Sequence, residues 1–563
     1  MSSTSPQAER VWLGSYPEGV PADIDPDLYP SLVALLEECF VRHAPRTAFS
    51  FMGKALSYRE LDEQSLALAA YLQSLGLVKG DRVALMMPNV LQYPIAVAAV
   101  LRAGLVVVNV NPLYTARELQ HQLKDSGAKA IVIVENFAAT LEKCLADTPV
   151  QHVVLASMGD RLGWLKGAIV NHVVRKVKKL VPAFQLPRAV PFNEALARGR
   201  KLPVTRAALG PQDIAVLQYT GGTTGVAKGA VLLHRNLVAN VLQSEAWNEP
   251  VMRRIPAGEQ STAVCALPLY HIFAFTVSMM LTLRTGGQAI LIPNPRDLPA
   301  VLKELSRHRF HSFPAVNTLF NGLLHHPDFG KVDWSHLQVS VGGGMAVTRT
   351  VAQLWLEKTG CPICEGYGLS ETSPTVSCIP PTMREFTGSI GVPLPSTRMK
   401  IIDDEGRELP TGEPGEIAIA GPQVMAGYWQ RPDETAKVMT ADGYFRSGDI
   451  GVVDARGFFR IVDRKKDMIL VSGFNVYPNE VEDVVSACPG VLECAAIGVP
   501  DERTGEAVKL VVVKKDPQLT EAQILEWCRD KLTGYKQPRL IEFRAELPKT
   551  PVGKILRREL RAA

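Results

Sequence analysis

Between residues 219 and 229 the chain reads Tyr219, Thr220, Gly221, Gly222, Thr223, Thr224, Gly225, Val226, Ala227, Lys228, Gly229. Glycines let backbone amides turn toward bound oxygens, threonine hydroxyls add donors and a lysine adds positive charge, which together describe a phosphate cradle. The run directly follows the strand-like segment from Ile214 to Tyr219. It is not the Walker pattern: Lys228 is preceded by Ala227 and followed by Gly229, so the Gly-Lys-Ser/Thr order of P-loop kinases is missing. Cys361 and Cys364 form a lone Cys-x-x-Cys with no second pair nearby, and read as two ordinary thiols.

Such a loop must be held by a scaffold. From Val83 onward short β-branched runs alternate with longer helical patterns, VALMM, VLQYPIAVAAVLRAG, LVVVNV, ARELQHQLKDSG and AIVIV, which is βαβ reading. A second such series begins at Ala263 and ends on the strand before Gly342. Two parallel-sheet α/β subdomains with helices on both faces are expected. From about Phe386 to Val462 short strands cut by Gly and Pro predict a small β-rich subdomain. After Asp463 comes a compact α+β unit with its own helices and strands, a normal size for a small domain. The expected division is therefore 1–462 and 463–563.

At 563 residues the chain exceeds what one core usually supports, so more than one domain fits its length. A net charge of +4 is too balanced for nucleic-acid binding by the whole surface. Nine scattered cysteines lack the spacing of a disulfide framework, which favours a reducing cytoplasm. No stretch of about 18 apolar residues occurs, so no membrane span is expected.

The motifs resemble those of the acyl-adenylate-forming, AMP-binding enzyme family, which includes acyl-CoA synthetases, aryl-CoA ligases, luciferases and peptide-synthetase adenylation domains. After the glycine-threonine loop the resemblance recurs in family order: Pro268-Leu-Tyr-His271, Gly342-Gly343-Gly344, Glu365-Gly366-Tyr367-Gly368-Leu-Ser370-Glu371-Thr372, Ser447-Gly-Asp449, Asp463-Arg464-Lys-Lys466, Ser472-Gly473-Phe474-Asn-Val-Tyr-Pro, and Pro548-Lys-Thr-Pro-Val-Gly-Lys554. It covers about residue 30 to residue 560. Within the family, GGTTGVAKGA, PLYHIFAF and DRKKDMILVSGFNVYPNE look most like bacterial long-chain fatty-acid CoA ligases. The resemblance implies ATP-dependent conversion of a fatty acid to its acyl-adenylate with release of pyrophosphate, then transfer to the thiol of CoA.

It also implies roles. Glu371 and Thr220 would hold Mg²⁺, Asp449 assisted by Arg464 would bind the ribose, and Gly342–Gly344 with Tyr367 would flank the adenine. His271 would orient the carboxylate, Lys554 would contact it and the α-phosphate, and Phe275 would gate the acyl tunnel. Asp463 would be the hinge, and Lys466, Ser472, Gly473 and Phe474 would line the path of CoA. Ala227 replaces the proline common before the lysine, and Ser447 replaces the usual threonine. An aryl- or medium-chain ligase, or one loading a carrier protein, shares these motifs, and pocket shape decides among them. A non-catalytic nucleotide or lipid sensor would have no need of His271, Glu371, Asp449 and Lys554 together. A homodimer stays open.

From Arg161 to Asn193 there is no acidic residue, while Arg161, Lys166, Arg175, Lys176, Lys178, Lys179 and Arg188 interleave with Trp164, Leu165, Ile169, Val170, Val173, Val174, Val177, Leu180 and Val181. The stretch 161–188 suits an anionic membrane surface on the inner face of the cytoplasmic membrane, and equally a basic helix packed on the protein.

Overall fold

The computed structural model describes residues 10–220, 227–464, 467–472, 474–501, 503–550 and 555–561. The alternation read from the sequence is realised as strand Arg82–Met86, helix Gln92–Arg102, strand Val106–Asn109, helix Ala116–Ser126 and strand Ala130–Val134. Local chemistry sets the bounds. Helix Ala116–Ser126 opens on a capping box, with the Thr115 hydroxyl accepting from the Glu118 N–H and the Glu118 carboxylate accepting from the Thr115 N–H. It closes on Gly127 at φ +62°, a left-handed turn that glycine takes without a Cβ clash.

The first sheet has eight strands, in the order Gly427–Tyr428, Lys228–Leu233, Ile214–Thr220, Val106–Asn109, Arg82–Met86, Ala130–Val134, His152–Ala156 and Val190–Pro191. From Ile214–Thr220 to Val190–Pro191 the strands run parallel, and the first two are antiparallel additions. The chain moves from Arg82–Met86 outward to Val106–Asn109, then crosses back to Ala130–Val134 on the other side. Strand order therefore reverses between Arg82–Met86 and Ala130–Val134.

The second sheet has nine strands and a parallel centre running from Thr47–Phe51 through Gln288–Leu291, Thr262–Cys265, Ser312–Ala315 and Val339–Gly342 to Ile363–Gly368. Two of its members escape a reading by periodicity. Thr47–Phe51 lies far away in sequence, and Ser312–Ala315 contains Pro314, a residue that usually argues against a central strand. Strands Arg398–Ile402, Gly415–Ala420, Phe445–Val453 and Phe459–Arg464 form the expected small antiparallel sheet. The C-terminal unit packs its own core, in which Ile469, Val481, Leu510, Val512 and Ile524 are buried. All nine cysteines are buried and free.

The stretch 161–188 forms helix Trp164–His172, continued by a wider π turn over Val173–Val177. Arg175 pairs with Glu135 at 2.9 Å, Arg161 donates to Asn193 Oδ1 and Lys166 to the carbonyl of Met52, so part of the basic set packs on the protein. Trp164, Leu165, Ile169, Val177 and Leu180 remain exposed, as do Lys176, Lys178, Lys179 and Arg188. Among the described residues no helix is long and apolar enough to cross a membrane.

Candidate active site

The site assembles where the two large sheets and the small antiparallel sheet meet. Strand Ile214–Thr220 delivers Thr220 to the start of the phosphate loop, and Lys228 opens the returning strand. Gly221, Gly222, Thr223, Thr224 and Gly225 lie outside the described residues. Tyr219 points to the far side, where its hydroxyl donates to Asp125 at 2.7 Å and Arg431 holds the other oxygen of that carboxylate at 2.6 Å. Lys228 pairs with Glu434, whose carboxyl is held down to about 2 by that hydrogen bond and by Lys437. Its ammonium also lies 5.3 Å from the ring centre of Tyr428.

Tyr428 is the connection that motif reading missed. Its hydroxyl donates to Glu371 Oε1 at 2.8 Å, and the Glu371 carbonyl accepts from the Met425 N–H at 2.7 Å. Glu371 is buried on the short turn Ser370–Thr372, which packs against the strands ending in Thr220 and beginning at Lys228. A buried carboxylate so held has a fixed direction.

On the side expected to take the adenine, Tyr367 and Asp449 are both buried and joined, the phenol donating to Asp449 Oδ2 at 2.7 Å. The Ser447 hydroxyl donates to the Ile417 carbonyl and accepts from the Asp449 N–H. Asp449 faces Arg464 across the strand pair Phe445–Val453 and Phe459–Arg464. The Arg464 side chain lies outside the described part. Glu365 accepts from the Val347 N–H at 2.9 Å, and burial pushes its carboxyl up to about 8, with Asp483 of the C-terminal unit adding to the rise. At Gly343 a Cβ would stand 2.8 Å from the ring of Phe273, and at Gly368 1.9 Å from the Pro374 carbonyl, so both positions need glycine for close approach. Gly344 has φ +79°, and Gly342 and Gly366 line the same pair of strands.

His271 sits at the entrance to the π turn Ala274–Met280, its Nδ1 accepting from the Phe273 N–H at 3.3 Å. Phe275 is fully buried, and its N–H bonds to the His271 carbonyl at 3.0 Å. A chain of buried amides ties this loop to the phosphate strand. Tyr93 donates to Asn109 Oδ1, Asn109 to Gln218 Oε1, and Gln218 to the Tyr270 carbonyl. Asn89 grips the same loop through the carbonyls of Cys265 and Leu267 and the N–H of Leu269. Polar residues inside otherwise apolar strands were the available signal for Asn109 and Gln218.

In the C-terminal unit Asp463 is fully buried, accepting from the Asn479 N–H at 2.9 Å and facing Arg557, which also pairs with Asp467 and Glu482. Ser472 has φ +51° and is exposed, and Phe474 is exposed and stacked on Tyr535. Lys466, Gly473 and Lys554 lie outside the described residues.

The model of the AMP-binding enzyme matches residues 36–429, and that of the AMP-binding enzyme C-terminal domain matches residues 480–554. The chain belongs to the AMP-binding enzyme family. Within it, the chain is 56% identical over 98% of its length, and 98% of the relative's, to the long-chain-fatty-acid–CoA ligase of Escherichia coli O6:H1. It is 38% identical, with 98% coverage of both chains, to the long-chain-fatty-acid–CoA ligase of Bacillus subtilis. Among solved structures, the anthranilate CoA ligase AuaEII in complex with anthranoyl-AMP matches with a TM-score of 0.83 at 26% identity, covering 96% of this chain and 98% of that one. The AMP-binding fold thus extends along nearly the whole chain.

Proposed function

We propose that this AMP-binding enzyme is a long-chain fatty acid:CoA ligase that forms AMP. The observation that carries the reading is the end-to-end identity with long-chain-fatty-acid–CoA ligases. In the first step a carboxylate oxygen of the acid bonds to the α-phosphorus of ATP and pyrophosphate leaves. In the second the CoA sulfur bonds to the acyl carbon and AMP leaves.

The residue roles are assigned as follows. Asp449 accepts from the ribose hydroxyls, and its bond to Tyr367 supports this by holding the carboxylate still. Gly342–Gly344 and Tyr367 flank the adenine, the Thr220–Gly225 loop and Lys228 cradle the phosphates, His271 orients the fatty carboxylate, and Lys554 meets the α-phosphate. Glu371 and Thr220 offer an anionic oxygen and a hydroxyl on elements packed together, a hard-oxygen set that fits Mg²⁺, which would neutralise phosphate charge there. Phe275, tied to His271 through the backbone, is assigned to gate the acyl tunnel.

We assign 1–462 and 463–563 as the two domains, supported by the separate core of the latter. The C-terminal unit presents Lys554 for the first step and the Ser472–Phe474 tip for the second, turning about Asp463. The exposed face of helix Trp164–His172 and the following lysines rest on an anionic bilayer. Support comes from Trp164, 86% exposed, and from the exposed lysines at 176, 178 and 179.

The test is AMP formation by purified protein over acids of graded chain length, with and without CoA. Turnover greatest on long-chain acids and dependent on CoA is expected. Preference for aryl or short acids would overturn the substrate class.

A further inference from the structure

Strands Val106–Asn109 and Ile214–Thr220 run through buried apolar residues to Asn109 and Gln218, which stand side by side and are 3% and 4% exposed. An apolar side chain at either position would bury no polar group, so two amides there call for a reason. Both find partners. Asn109 Nδ2 donates to Gln218 Oε1 at 3.0 Å, and Gln218 Nε2 donates to the Tyr270 carbonyl at 3.2 Å. Behind them the hydroxyl of the fully buried Tyr93 lies 2.6 Å from Asn109 Oδ1 and 2.9 Å from the Leu269 carbonyl.

This chain joins two parts of the site that different sheets supply. His271 follows Tyr270 on the loop after strand Thr262–Cys265 of the second sheet. Gln218 belongs to the first sheet and precedes Thr220 by two residues on the strand that leads into the phosphate loop. Side chains alternate along a strand, so the amide leaves the same face as the Thr220 hydroxyl. Asn89 fixes the loop further back, at Cys265, Leu267 and Leu269. Gln218 therefore reaches from the phosphate strand to the carbonyl beside His271. Anhydride formation needs a carboxylate oxygen in line with the α-phosphorus and close to it, and a small misplacement there slows the step steeply.

We propose that Gln218 is a positioning residue for the first half-reaction: by holding the Tyr270 carbonyl it sets His271, and the carboxylate that His271 orients, against the phosphate loop. The inference rests on the ligase reading and on the role given there to His271. A hydrogen bond that only fastened the two sheets together would matter equally to both half-reactions. In the second half-reaction the acyl–phosphate bond already exists, and no carboxylate has to be aimed at phosphorus.

The experiment assays each half-reaction of the full-length protein, as pyrophosphate release from ATP and palmitate, and as thioester formation from supplied palmitoyl-adenylate and CoA. Gln218→Met keeps the length of the side chain and removes its amide. Pyrophosphate release should fall about tenfold or more in kcat, with the KM for ATP little changed, while thioester formation stays near the wild-type rate. In a His271→Ala background the same substitution should add little further loss, because the two residues act as one unit. Normal pyrophosphate release, equal loss in both half-reactions, or losses that simply multiply in the double variant would each overturn the inference. Tyr93→Phe, which keeps the ring and removes the donor that backs Asn109 and Leu269, should show the same split with a smaller loss. Should Gln218→Met fail to fold, Tyr93→Phe is judged by the same three outcomes. A wild-type protein that releases no pyrophosphate with palmitate would overturn the ligase reading and this inference with it. Any of the three outcomes on a wild type that turns over overturns this inference alone.

Discussion

The nucleotide side and the helix Trp164–His172 treat polar and apolar groups in opposite ways. Around the phosphate loop, side chains that would meet ATP are held by others: Glu371 by Tyr428, Asp449 by Tyr367, Lys228 by Glu434. Along the helix and the turn after it, large apolar groups stand in solvent, and Lys176, Lys178 and Lys179 follow, exposed. Preorganised dipoles stabilise charge that develops at one point. A loose basic and apolar face gains by contact with a broad surface. The difference predicts steep, local effects of substitution on the first side and shallow, additive ones on the second.

The largest effect belongs to the charge-bearing groups. Glu371→Ala and Lys554→Ala should each lower acyl-adenylate formation by about 10²-fold or more while leaving thermal unfolding near that of wild type. Pyrophosphate release at the normal rate in either variant would remove that residue from the chemistry. Next comes the hinge. Proline fixes φ near −65°, so Asp463→Pro should depress one half-reaction about tenfold more than the other, as misplacement of a few ångströms at the site would. Separate assays of adenylation and of thioester formation from supplied acyl-adenylate decide this, and equal loss in both would contradict rotation about Asp463.

A smaller change tests the holding bonds themselves. Tyr367→Phe keeps the ring and removes the donor to Asp449, and should raise the KM for ATP by about tenfold. An unchanged KM would mean that Asp449 needs no fixing. The mildest effect is expected on the other face, where Lys176, Lys178 and Lys179 to Gln should weaken sedimentation with anionic vesicles by about 1 kcal/mol per charge, without altering ATP use. A wild-type protein that ignores such vesicles would collapse the contrast between the two regions.

Much of this was legible in the residues. The βαβ series gave strands at Arg82–Met86, Val106–Asn109 and Ala130–Val134 because β-branched runs and helical periodicity coincide with local preference there. Thr47–Phe51 was not legible, since its partner Gln288–Leu291 lies more than two hundred residues away and periodicity carries no such distance. Ser312–Ala315 was hidden by Pro314. For the site, glycine and threonine motifs announce themselves by composition. Tyr428, Gln218 and Asn109 do not, because each acts through a partner supplied by another element. The basic stretch 161–188 read as membrane-facing or packed: in the structure Arg161, Lys166 and Arg175 bond to other parts of the protein, and Lys176, Lys178 and Lys179 are exposed.

The buried cysteines carry a last consequence. A mixed anhydride of a fatty acid acylates any thiolate that reaches it, and an enzyme that builds one beside its own thiols risks inactivating itself. Cys364 and Cys378 lie on the strands Ile363–Gly368 and Thr375–Cys378, beside the residues assigned to the adenine. Burial pushes the Cys378 thiol up to about 12 and raises that of Cys364 well above the usual range, so both stay protonated. With all nine thiols withdrawn in this way, self-acylation is suppressed and the sulfur of CoA meets no rival.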